Sequence, residues 1–121
     1  VLRSWGVKVV YLFGSRARGT WGEGSDYDLA VVMGREVGPR EVGAMAADLA
    51  GALGTTPDMV DLVVLDDADP ALVYRVLKEG VLVYYEDERT RRVWERRLLF
   101  RVLDAGDLME VYLPRLMKRL R

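Results

Sequence analysis

Apolar residues run from Val7 to Phe13 and stop at Gly14 and Ser15, the pattern of a buried strand entering a helix. A second run, Leu29 to Val32, is opened by Asp26 and Asp28; the period of two in a strand sends both carboxylates to one face and Tyr27 to the other. Gly34 to Gly38 then reads as a loop. Pro39 opens a helix whose apolar positions Val42, Met45, Ala46, Leu49 and Leu53 keep helical spacing, and Gly54 closes it. A third strand is predicted over Asp58 to Leu65, where a near-continuous apolar run interrupted only by Asp61 implies burial on both faces. Asp69-Pro70 is an N-cap and first-turn pair for a helix carrying Leu72, Val73, Val76 and Leu77 and ending at Gly80, and Val81 to Tyr85 is a short fourth strand. From Glu88 onward the spacing of Leu98, Val102, Ala105, Met109, Tyr112, Leu116 and Leu120 is helical, with Gly106 and Pro114 implying a bent helix or a helix pair. This stretch either folds back on the sheet or faces another chain.

The pattern predicts an α/β (α+β) fold: one domain over 1–121, its core about 7–85 and its helical extension about 87–121. A chain of 121 residues, half of them apolar, holds one core. No apolar stretch approaches the ~20 residues of a membrane-spanning helix, so the expected setting is the cytoplasm. Charge is unevenly placed: residues 87–121 hold ten Lys/Arg and six Asp/Glu, net +4, and the first 86 residues carry −5. Such a tail is either a solvated face or a surface for an acidic partner or RNA.

The absence of every Cys and His removes thiol and imidazole chemistry, disulfides and soft metal sites. Ser15 therefore cannot belong to a serine-histidine triad, and any metal must be held by oxygen, which selects Mg²⁺ or Mn²⁺. Two carboxylates ~7 Å apart along one strand can share a pair of such ions ~4 Å from each other. A helix N-terminus behind Gly14-Ser15 would offer N–H groups and positive dipole to a phosphate. Asp61 within so apolar a run is costly to bury without a cation or donors; the alternative is a strand end in water or a cap on a neighbouring loop. Arg16 and Arg18 are either phosphate clamps or surface charges, with Arg16 favoured as a clamp, and Trp21 either stacks on a base or packs.

The run Gly14-Ser15-Arg16-Ala17-Arg18-Gly19, with Ser25-Asp26-Tyr27-Asp28-Leu29-Ala30-Val31 and Asp61 on a later strand, resembles the minimal nucleotidyltransferases of the DNA polymerase beta superfamily. The resemblance covers residues 7 to about 85. It implies a mixed sheet of about four strands flanked by helices, with a nucleoside triphosphate and two Mg²⁺ ions at one edge. Carried over, Asp26 and Asp28 bind both metals, and Asp61 binds the catalytic metal and helps activate the acceptor hydroxyl. Ser15 contacts the terminal phosphates, and Gly14, Arg16 and Ser25 complete the nucleotide site. Two features depart from the family: only Val1 to Gly6 stand where a helix usually precedes the first strand, and the stretch beyond Tyr85 exceeds that of the shortest members. The longer form resembles the nucleotidyltransferases encoded beside helical HEPN toxins, which act as antitoxins by transferring AMP from ATP to a toxin tyrosine. The expectation is thus a protein adenylyltransferase and antitoxin of a type VII pair with a HEPN-family partner, a possible homo-oligomer, with nucleic acid not a primary partner. The alternatives are transfer to a small molecule such as an aminoglycoside or to RNA, and a non-catalytic toxin-binding module.

Overall fold

Four strands and three helices are laid down in a computed structural model that describes residues 2–14 and 27–105. The elements are β1 (Val9–Phe13), β2 (Tyr27–Val32), α1 (Pro39–Leu53), a 3₁₀ turn at Pro57–Met59, β3 (Val60–Val64), α2 (Pro70–Glu79), β4 (Val81–Tyr85) and α3 (Glu88–Leu103). The strands form one sheet in the order β3-β2-β1-β4; β1 pairs antiparallel with β2 and β4, and β2 pairs parallel with β3. The parallel pair follows from α1, which carries the chain back along the sheet so that β3 starts at the same end as β2.

Strand alternation divides the core into two layers. Val9 and Tyr11 of β1 and Ala30 and Val32 of β2 meet α2 and α3 through Val73, Val76, Leu77, Leu98 and Val102. Val10, Leu29 and Val31 face the other way, onto Met45, Leu49 and Ala50 of α1. Pro39 at the first turn of α1 and Gly54 behind it, at φ 72° in the left-handed region, give this helix the start and stop its sequence predicts. The side chain of Asp69 accepts from Ala71 N at the start of α2, and that of Asp87 accepts from Thr90 N at the start of α3. The Thr90 bond holds the Asp87 carboxyl below the usual aspartate range.

Helix α3 folds back on the sheet through Leu98 and Val102, as one of the two readings of this stretch has it, while Val93 and Phe100 stay exposed. Its Glu95 is buried, accepting from the Tyr11 hydroxyl at 3.1 Å and from Arg91 Nη1 at 2.8 Å. The expected stripe residues Met109, Tyr112, Leu116 and Leu120, with the break at Gly106 or Pro114, lie outside the described residues.

One expectation is corrected. β3 is an edge strand, so Leu62, Val63 and Val64 are half-buried and not enclosed on both faces, and Asp61 is exposed. Its carboxylate meets water without the desolvation cost that full burial would carry. Among the described residues, no helix is long and apolar enough to cross a membrane.

Candidate active site

The site is built at the end of the sheet where β1 finishes and β2 and β3 begin. Phe13, the last residue of β1, lies opposite Asp28 of β2, and Asp28 is in parallel register with Asp61 of β3. Residues in register on adjacent strands point to the same side, so both carboxylates project on the face covered by α2 and α3. The reason is the core beneath them: Leu29 and Val60 turn toward the α1 layer, which sends their neighbours Asp28 and Asp61 the other way. Adjacent strands are ~4.8 Å apart, which places two like charges side by side, Asp28 half-buried and Asp61 exposed.

Gly14 fixes the third side of this arrangement. Its φ of 76° lies in the left-handed region, and a Cβ built on it would stand 2.2 Å from Asp28 Oδ2. The Asp28 carboxylate therefore rests against the bare backbone of Gly14, and no larger residue fits with Asp28 in place. The sequence marked Gly14 as a turn; its contact with Asp28 is a matter of register that no local pattern carries. Lys78, which sequence reasoning passed over, stands near the end of α2 at this same end of the sheet: Gly80 packs toward Tyr11, and Val81 pairs with Leu12. Its ammonium is 5.7 Å from the centroid of the Tyr74 ring. The signal available was the helical i, i+4 spacing of Tyr74 and Lys78.

Of the predicted site residues, the structure brings Gly14, Asp28 and Asp61 together. Ser15, Arg16, Ser25 and Asp26 lie outside the described residues, as do Arg18 and Trp21. Among the described residues no cluster of three or more ligating side chains is present. Asp28 and Asp61 supply oxygen donors only, a set suited to a hard divalent cation.

The family model described as "Polymerase beta, Nucleotidyltransferase" matches residues 2–89, which include all four strands and the whole of the site. The chain belongs to this family. Its fold is also that of several solved structures. A chain from a toxin–antitoxin crystallised with AMP-PNP is similar at 27% identity and a TM-score of 0.62, over 89% of this chain and 92% of that one. A chain from the complex of a tri-AMPylated Shewanella oneidensis HEPN toxin with an MNT antitoxin is similar at 25% identity and a TM-score of 0.55, over 89% of each chain. A chain from the MntA-HepT toxin–antitoxin gives 25% identity and a TM-score of 0.53, over 89% of this chain and 90% of that one. Among curated proteins, no sequence matches this chain significantly. The nucleotidyltransferase fold, a mixed four-stranded sheet flanked by helices, is the one expected from the sequence.

Proposed function

We propose that this nucleotidyltransferase moves AMP from ATP to a tyrosine hydroxyl of a HEPN-family toxin, and so serves as the antitoxin of that pair. The observation that carries the reading is the register of Asp28 with Asp61, two acidic side chains on one face beside the left-handed Gly14. Support for the substrate and acceptor comes from the similar structures, one of a toxin–antitoxin with AMP-PNP and one containing an AMPylated HEPN toxin.

Asp26, Asp28 and Asp61 would hold two Mg²⁺ ions, a role that fits an all-oxygen donor set in a chain without His or Cys. When bound, magnesium neutralises the triphosphate and polarises its phosphorus–oxygen bonds. Gly14, Ser15 and Ser25 receive phosphate oxygens through backbone and hydroxyl donors, and Arg16 adds a guanidinium. Asp61, on the edge strand and open to solvent, is the carboxylate that an incoming protein side chain reaches most easily, and it takes the acceptor's proton. The tyrosine oxygen forms a bond to the α-phosphorus, the bond from that phosphorus to the bridging oxygen breaks, and pyrophosphate leaves. Positioning and charge neutralisation are sufficient for such a transfer, which is why the missing histidine is no obstacle.

The test incubates the purified chain with ATP, Mg²⁺ and the HEPN-family protein encoded beside it, then maps adducts by mass spectrometry. AMP on a toxin tyrosine is the expected result. Neutralisation of the toxin with no adduct, equally by wild type and by Asp28→Asn, would replace this reading with binding alone.

A further inference from the structure

The outer face of α3 carries chemistry that nucleotidyl transfer does not use. Arg89, Val93, Arg96 and Phe100 follow one another at spacings of four, three and four, which aligns them along one side of the helix, and all are exposed. Val93 is 40% and Phe100 56% exposed, while the opposite side of the helix is already committed to the core through Leu98 and Val102. Arg92 and Arg97 flank the row, and these six side chains with Glu88 line a groove of about 530 Å³. Four guanidiniums face one lining carboxylate there, in a chain whose overall charge is −1. Arg92 Nε lies 3.5 Å from Glu88, and Arg97 stacks over Trp94 at 4.7 Å.

We infer that this face of α3 is the docking surface for the partner protein, and that it receives a helix with an apolar seam and acidic flanks. The four-three-four spacing is the seam of one helix laid along another, with Val93 and Phe100 as the apolar anchors one heptad apart. Arginines within and beside such a seam select carboxylates on the facing helix. A second copy of this chain would bring the same guanidiniums and be repelled. The chain's own residues 106–121 are also basic, with four Lys/Arg against two Asp/Glu. A lipid surface needs a broad apolar face, and the apolar face of α3 is buried in the core. Helix α3 begins beyond Tyr85, which pairs with Val9 at the end of β1 remote from Gly14, so a partner held there leaves the Asp28–Asp61 end open.

The inference rests on the partner being the HEPN-family toxin proposed above, and its test separates the two. Calorimetric titration of that toxin into the full chain is compared for wild type, Phe100→Ala and the double variant Arg92→Glu/Arg96→Glu, with the melting temperature and Mg²⁺·AMP-PNP affinity of each measured alongside. Expected are a loss of about tenfold for Phe100→Ala and about a hundredfold for the charge reversal, with toxin affinity falling as salt rises and nucleotide affinity unchanged. Toxin binding within twofold of wild type in both variants would overturn the inference, whether or not AMP is transferred. Tight binding lost in both variants with no AMP adduct from wild type would uphold the docking surface and remove the proposed reaction. Wild type that does not bind the toxin would overturn both. Retention of an oligouridylate or phosphatidylserine vesicles that the charge reversal abolishes, with toxin binding intact, would assign the face to nucleic acid or membrane and overturn the inference.

Discussion

Aspartates stand at both ends of the sheet, in different settings. At the end where β3 finishes, the Asp66 carboxylate accepts from Met33 N at 2.9 Å and Gly34 N at 2.8 Å, and Arg101 of α3 donates to the carbonyls of Leu65, Asp66 and Ala68. Asp66 and Arg101 are both answered by protein groups, and the result is a fastened loop between β3 and α2. At the other end Asp28 and Asp61 stand side by side with like charge, one against the backbone of Gly14 and one in water. Like charges directly opposite each other on paired strands destabilise a sheet. Asp66 fastens a loop through internal donors, and Asp28 and Asp61 share one face in adjacent register, where an outside cation can join them.

The comparison breaks if changes at the two ends have the same consequences. The largest expected effect is that of Asp61→Asn: transfer activity falls about a thousandfold, while relief of repulsion leaves stability equal or higher by ~0.5 kcal/mol. Turnover assays and urea melts check the two halves of that statement. Gly14→Ala comes next. The new methyl displaces Asp28 and strains a left-handed backbone, so turnover should fall about a hundredfold and stability by ~1–2 kcal/mol. Arg101→Ala, at the opposite end, should cost about 2 kcal/mol, because three carbonyls lose a charged donor, yet leave turnover per folded molecule unchanged. Thermal melts alongside rate measurements at a temperature where both proteins are folded distinguish these cases.

The smallest effect sharpens the rule for capping carboxylates. Asp87 has a folded pKa below its unfolded one because Thr90 N–H bonds its charged form. The stability it contributes is therefore present above the unfolded value and lost as pH falls through the folded one. Asp87→Ala should lower the melting temperature by a few degrees at neutral pH, and the gap should close in acid as the wild-type carboxyl protonates.

Much of the fold was legible because local signals and tertiary structure agree. Pro39 and Gly54 bound α1, Asp69-Pro70 and Gly80 bound α2, and Val81 to Tyr85 is a strand with no residue misplaced. The apolar run around Asp61 misled for a physical reason. Continuous apolar sequence signals burial on both faces only for a central strand, and strand order is a property of the whole sheet. The face shared by Asp28 and Asp61 follows from parallel register, and the contact of Gly14 with Asp28 from antiparallel register; neither is encoded in a window of sequence. The arginine row of α3 was visible as charge, but which residues faced out depended on Leu98 and Val102 finding the core.

In the proposed reaction the acidic pair beside Gly14 would grip divalent cations that carry the nucleotide. Calorimetric titration of AMP-PNP into the wild-type chain, with Mg²⁺ and then with EDTA, tests it directly when repeated on Asp28→Asn and Asp61→Asn. Expected is uptake that requires Mg²⁺ and weakens at least tenfold in each variant. Equal uptake in EDTA, or by both variants in Mg²⁺, would contradict it.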